Sequence, residues 1–132
     1  SILTRELRER ISTAAATAGQ LLTDRWPDRP NQSLQDEVRE LGQNTGIRLT
    51  LIAPDGAVLA DSGLNGLLAV EQAENHADRT EVIAALKNGV GDARRTSPSL
   101  GERMQYHAVR VDRDAAPVGV VRAALPTAPW GL

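Results

Sequence analysis

An α+β fold, with helices packed on a single five-stranded antiparallel sheet, is what three features of this sequence predict. The elements inferred along the chain run helix, helix, strand, strand, helix and then three strands. Two antiparallel hairpins separated by a helical crossover fit most economically into one sheet. The chain has 132 residues, 41% of them apolar, which is enough for one domain with one modest core. The apolar pattern also changes period, from the threes and fours of a helix near the start to the alternation of strands at 47–52 and 104–111.

Residues 1–24 read as a long amphipathic helix continuous with the domain. Between Leu3 and about Asp24 there is no proline, and apolar or small residues recur at Leu7, Ile11, Ala14, Ala18 and Leu21, alternating four and three as a heptad seam does. Glu6 and Arg10 lie off the seam at the i, i+4 separation that lets opposite charges meet. Two readings stay open: the stripe packs on its own domain, or a second copy shares it. Ala14 and Ala18 permit close approach, but so short a seam would need tethering.

Residues 25–126 hold the sheet. Pro27 and Pro30 break the first helix, and Ser33 is expected to cap a second over Leu34 to Gln43, with Asp36 and Glu37 in its first turn. Residues 47–52 alternate as a half-buried strand, Pro54-Asp55-Gly56 is a tight turn, and Val58 to Asp61 resumes extended sequence, giving a hairpin. Ser62 to His76 is irregular, with a loop or short helical turn lying on the core. Thr80 is expected to cap the crossover helix, whose apolar face is Val82, Ile83 and Leu86 and which ends at Asn88-Gly89. Strands follow over Gly91 to Ser97, Met104 to Val111 and Val118 to Leu125, the last two joined by a hairpin-length connection. This order is that of a PAS-type domain.

Composition removes several function classes. A formal charge of -2 gives no basic field for a phosphate backbone, so nucleic acid is not an expected partner. Cysteine is absent, which excludes disulfides, thiolate metal sites and thiol nucleophiles while leaving the compartment open. No apolar run approaches the roughly 20 residues of a membrane span. The chain opens with Ser1 and enters helical sequence at once, as an excised piece of something longer would.

Few residues carry chemistry. His76 lies among carboxylates in Glu74-Asn75-His76-Ala77-Asp78, but no second histidine stands at ligand spacing, so no metal is assigned. Its simpler role is to hold the loop before Thr80. Ser62 or Ser97 with a histidine lacks the nucleophile elbow of a hydrolase, and the glycines at 89, 91 and 101 lack a phosphate loop's lysine. Arg94, Arg95, Arg103 and Arg110 fall beside the third and fourth strands, where they either clasp a carboxylate or phosphate or lie on a solvated edge. Alternation puts Arg94 and Arg95 on opposite faces, so at most one looks inward. Tyr106 and His107 straddle the same two faces, and periodicity does not say which is buried. Arg94, Arg103, Tyr106 and His76 are the candidate ligand-binding residues.

Segments 52–62 (IAPDGAVLADS), 74–82 (ENHADRTEV), 99–106 (SLGERMQY) and 119–126 (GVVRAALP), in this order and spacing, resemble the extracytoplasmic sensor region of phosphate-regulon-type (PhoR-like) bacterial histidine kinases. The likeness covers about Arg48 to Pro126. It implies a PAS-like, single-Cache-like domain outside the cytoplasmic membrane, dimeric through Leu7, Ile11, Ala14, Ala18 and Leu21. Residues 127–132 would lead towards a second transmembrane segment. The resemblance further implies a non-enzymatic input domain without a cofactor, with ATP and Mg belonging to a separate kinase core that phosphorylates a response regulator. The aromatic-rich pocket with a paired Arg and Asp, found in chemoreceptor Cache domains, is not evident in the sequence. The stimulus is therefore open between a small molecule and a protein. A chemoreceptor sensor domain is the first alternative, and a free-standing enzyme the more distant one.

Overall fold

The computed structural model describes residues 2–98 and 100–127. Helix α1 spans Ile2–Leu22 and runs into a 3-10 turn, Thr23–Arg25; α2 is Gln32–Thr45, α3 Leu67–Glu71 and α4 Thr80–Asn88. The strands are β1 Arg48–Ile52, β2 Val58–Asp61, β3 Val90–Thr96, β4 Arg103–Arg113 and β5 Ala116–Pro126. They form one sheet in the order β2-β1-β5-β4-β3, every neighbouring pair antiparallel. The expected α+β, PAS-like architecture is present, with the long N-terminal helix and the crossover helix in place. Of the expected tail at 127–132, only Thr127 is among the described residues, and Ser99 of the 98–101 turn also lies outside them.

The last strand in sequence is the middle strand in space. β5 pairs β1 on one side, from Arg48 opposite Ala124 to Ile52 opposite Val120, and β4 on the other, from Met104 opposite Pro126 to Arg113 opposite Ala116. Such long-range pairing fixes the face of every side chain, because a slip of one residue would invert them all.

One face is apolar. Ile11, Ala15, Ala18 and Leu22 of α1, with Leu34 and Val38 of α2, pack on Leu49, Leu51, Val121, Ala123 and Val111. Each fully buried Leu, Ile or Val contributes about 1.5–3 kcal/mol, so this face holds most of the fold's driving force. Trp26 closes its end, lying so near Gly119 that a Cβ there would stand 2.5 Å from the indole Cζ2.

Several local expectations change. The stripe that α1 buries is Ile11, Ala15, Ala18 and Leu22, rotated by one residue from the heptad seam, while Leu21 is 55% exposed and Leu7 and Ala14 are half-buried. Ile11 and Ala18 are therefore spent on the chain's own sheet. The cap of α2 is Asn31, whose side chain accepts from Leu34 N at 2.8 Å, and the helix starts two residues before the expected position, which moves Asp36 and Glu37 out of the first turn. Arg79 precedes α4 without a side-chain cap, and Thr80 is the helix's first residue. Of the expected apolar face of α4, Val82 is buried and Leu86 packs beside it, but Ile83 points outward and Ala85 is buried in its place. β1 is not half-buried: its second face, carrying Thr50 and Ile52, is covered as well.

Candidate functional site

The second face of the sheet is covered by α4 at one end and by the segment between β2 and α4 at the other. Val82 and Ala85 of α4 pack on Ile52, Ala108 and Val120. A Cβ on Gly91 would stand 2.2 Å from the Glu81 carbonyl oxygen, so β3 accepts α4 this closely only because residue 91 has no side chain. That approach carries Glu81 into the sheet, fully buried.

Beside α4 the face opens into a cavity of about 370 Å³, whose walls include Arg48, Asp61, His76, Arg95, Tyr106 and Arg122. Alternation supplies the set: Arg48 from β1, Arg122 from β5, Tyr106 from β4 and Arg95 from β3 all point to this side, while their neighbours Leu49, Val121 and Ala123 point to the apolar core. The volume suits a small molecule.

The cavity walls are held by ion pairs. Arg48 donates from Nε to Asp61 Oδ1 and from an NH2 group to Oδ2, both at 2.9 Å, a bidentate fork. Asp61 also accepts from Gly63 N at 2.8 Å and from the Thr50 hydroxyl at 3.3 Å, which leaves its carboxylate fully engaged. This bond to Asp61 raises the Arg48 pKa above its ordinary value. Glu81 accepts two bonds from Arg95, at 2.5 and 2.8 Å, and one from Arg122 at 3.3 Å. Burial alone would raise the Glu81 carboxyl, but the Arg95 hydrogen bonds and the Arg122 charge outweigh it and hold the group below its usual range. Arg95 and Arg122 both stack on Tyr106, 4.1 and 4.7 Å from the ring centroid.

Arg122 is the least satisfied member. It is 5% exposed, its bonds to Glu81 and Thr50 are long at 3.3 and 3.4 Å, and its Nε–H is buried without a hydrogen-bond partner among the described residues. Burial lowers its pKa, against the pull of Glu81, Asp61 and Tyr106.

His76 reaches the cavity from the loop. Gly56, at φ 92°, turns the β1–β2 hairpin so that its carbonyl accepts from His76 N at 2.8 Å; a Cβ there would meet Asn75 Oδ1 at 2.3 Å. The ring's Nδ1 lies 2.8 Å from the Glu74 carbonyl oxygen, which can only accept, so Nδ1 carries the proton and Nε2 is left as the acceptor. Burial, followed by the charges of Arg122 and Arg79, lowers the His76 pKa to about 4, so the ring is neutral at pH 7.

Of the candidate ligand-binding residues, His76 and Tyr106 line this cavity. Arg94 and Arg103 do not. Arg94 is on the opposite face, donating to Gln105 at 2.7 Å, and Arg103 is exposed at the start of β4. The inward member of the Arg94–Arg95 pair is Arg95. Tyr106 and His107 are both buried, on opposite faces, and His107 Nδ1 lies 2.8 Å from Asp92 Oδ1. Sequence reasoning missed Arg48, Asp61 and Arg122. An Arg–Asp pair, Arg48 with Asp61, does line the pocket, but the two hold each other, and the Asp61 carboxylate is further engaged by Thr50 and Gly63. The available signal for Arg122 was one charged residue inside the apolar run Val120-Val121-Arg122-Ala123-Ala124 of a central strand.

A second concavity, about 590 Å³, lies between α1, α2 and the start of β1, bounded by Ala14, Ala18, Leu21, Leu41, Ile47 and Leu49. It is open and its exposed lining is mostly apolar, with Glu6, Glu9, Arg10, Thr13, Thr17 and Thr45 also around it. No group of three or more metal-ligating side chains occurs among the described residues, and none of their helices is long and apolar enough to cross a membrane.

No protein-family model matches the chain, and no curated sequence matches it significantly. Solved structures do match. The sensor domain of E. coli DcuS superposes with a TM-score of 0.72 at 11% identity, covering 96% of this chain and 92% of that one. The sensor domain of the V. cholerae histidine kinase DctB gives 0.64 at 16% identity, covering 91% of this chain but 44% of that one. The ligand-binding domain of the Pseudomonas aeruginosa amino acid chemoreceptor PctC, in complex with GABA, gives 0.65 at 11% identity, covering 93% of this chain and 58% of that one. The chain thus has the Cache/PAS-like fold shared by sensor domains of histidine kinases and chemoreceptors.

Proposed function

We propose that the chain is the extracytoplasmic signal-input domain of a membrane-bound sensor histidine kinase of the phosphate-regulon type. A small molecule binds in the arginine-lined cavity and is sensed there without being chemically changed. The observation that carries this reading is the division of labour across β1 and β5: the residues that line the cavity alternate with those that seat α1, so a shift of either strand is felt by the helix. An input domain needs two packings of similar free energy and a stimulus that favours one.

The signal leaves through α1 in a homodimer. With Ile11 and Ala18 committed to the sheet, the partner would meet Leu7, Ala14 and the exposed Leu21 beside the apolar groove of α1 and α2. Sedimentation of the chain up to millimolar concentration should give a reversible dimer that Leu21→Glu dissociates; a strict monomer would remove this part. The likeness to chemoreceptor domains supports a second reading, a receptor without a kinase core, and the gene sequence following Leu132 separates the two. A thermal-shift screen with organic acids, amino acids and phosphate tests the small-molecule reading, because a ligand of the native state raises the melting temperature. A shift abolished by Arg122→Lys supports it, and no shift from any compound points to a protein stimulus.

A further inference from the structure

We infer that the cavity takes a small monoanionic hydroxycarboxylate, its carboxylate on Arg122 and its hydroxyl donating to His76 Nε2. This rests on the small-molecule reading above.

Charge sets the first constraint. The cavity is lined by four guanidiniums, Arg48, Arg79, Arg95 and Arg122, and by two carboxylates, Asp61 and Glu74, with buried Glu81 behind Arg95 and Arg122, an excess of one positive charge over these seven groups. Arg79 has a further partner outside this lining, Asp78, whose side chain is exposed to solvent and whose charge is screened there. One excess charge in a buried wall is matched by a monoanion, whereas a dianion would bury a charge without a counterion.

Saturation of the carboxylates sets the second. Asp61 takes its bonds from Arg48, Thr50 and Gly63, and Glu81 from Arg95 and Arg122, so neither offers an oxygen to an incoming ammonium. A zwitterionic amino acid would find a cation for its carboxylate, but for its amine only Glu74, which is solvent-exposed and engaged by Arg79. Among the guanidiniums, Arg122 stands to gain most. Its contacts are at the long limit of hydrogen bonding and its Nε–H lacks a partner, whereas Arg48 and Arg95 hold carboxylates at 2.5 to 2.9 Å.

His76 sets the third constraint. With Nδ1 committed to the Glu74 carbonyl, the other ring nitrogen of this cavity-lining residue accepts and does not donate. A carboxylate oxygen placed there would be repelled, and a hydroxyl hydrogen is what that nitrogen recognises.

Calorimetric titration of the 132-residue chain at pH 7 with lactate, glycolate, propionate, alanine and succinate tests this. Lactate or glycolate should bind about five-fold or more tighter than propionate, the analogue without the hydroxyl, since a hydrogen bond left unmade at a buried site costs at least that factor. Alanine and succinate should bind more weakly than lactate. His76→Phe should bring lactate and propionate to equal affinity, while Arg122→Lys should weaken both. The inference is overturned if alanine or succinate binds more tightly than lactate, or if His76→Phe leaves the lactate-to-propionate ratio unchanged; either result leaves a ligand-binding pocket standing. If no compound binds wild type at millimolar concentration, the small-molecule reading falls with it. Because the His76 ratio is read in a loop variant, it stays informative even if Arg122→Lys fails to fold.

Discussion

The two faces of the sheet use the same strands for opposite purposes. On β5, Val121 and Ala123 join an apolar core under α1 and α2, while Arg122 between them sits in a lattice of buried ions. On β1, Leu49 and Leu51 alternate with Arg48 and Thr50 in the same way. The apolar face gains free energy by excluding water, and truncating a side chain there costs in proportion to the cavity left behind. The polar face gains little net stability, because the cost of desolvating its ions roughly offsets their attraction, but it is unforgiving when one partner is removed. A water-excluding core and an ion-paired cavity are thereby separated across one layer of backbone while remaining mechanically joined through it.

The largest effect should come from breaking the polar face. Glu81→Ala leaves Arg95 and Arg122 without their buried counterion and should cost about 3–5 kcal/mol in chemical denaturation, whereas Glu81→Leu combined with Arg122→Met should recover much of the loss. If the single and double variants lose equally, the ions are not coupled as described. On the apolar face, Leu51→Ala should cost about 3 kcal/mol through the cavity it leaves, with no comparable rescue by a polar substitution nearby.

A smaller effect separates the faces by pH. The His76 pKa is about 4 in the folded chain and near 6.5 unfolded, so the unfolded state binds the extra proton between these values. The stability contribution is fully present above about pH 6.5 and is lost as pH falls towards 4, by at most about 1.4 kcal/mol per unit. Melts across that window should slope for wild type and flatten for His76→Gln. The Glu81 carboxyl, held below its ordinary value, adds its loss only at lower pH. The smallest effect lies away from both faces: the β4–β5 turn places Asp114 and Ala115 at φ 54° and 64°, and Ala115→Gly should stabilise by about 0.5 kcal/mol.

Local pattern in the sequence revealed the elements and their order, because turn residues and changes of period are written within a few positions. It did not reveal which helical stripe α1 buries. Its run of alanines is compatible with a seam at Ala14 and Ala18 and with a face at Ala15 and Ala18, and the sheet's shape decides between them. Alternation in β1 read as one wet face because Arg48 and Thr50 are polar; both are instead turned to a covered, ion-paired side. His76 and Tyr106 were legible as unusual residues in informative places. Arg48, Asp61 and Arg122 were not, since their meaning lies in partners brought together by strand register, as in Glu81 with Arg122, 41 positions apart. Arg94 and Arg103 looked equivalent to Arg95 by type and neighbourhood, and only the register separates them.

The central claim is that the polar face is a binding site organised around Arg122. The direct test is calorimetric titration of the chain with lactate at pH 7, for wild type and Arg122→Lys. The account predicts saturable binding at one site per chain, weakened about ten-fold or more when the planar fork becomes a point charge. Equal affinity in the two proteins would contradict it.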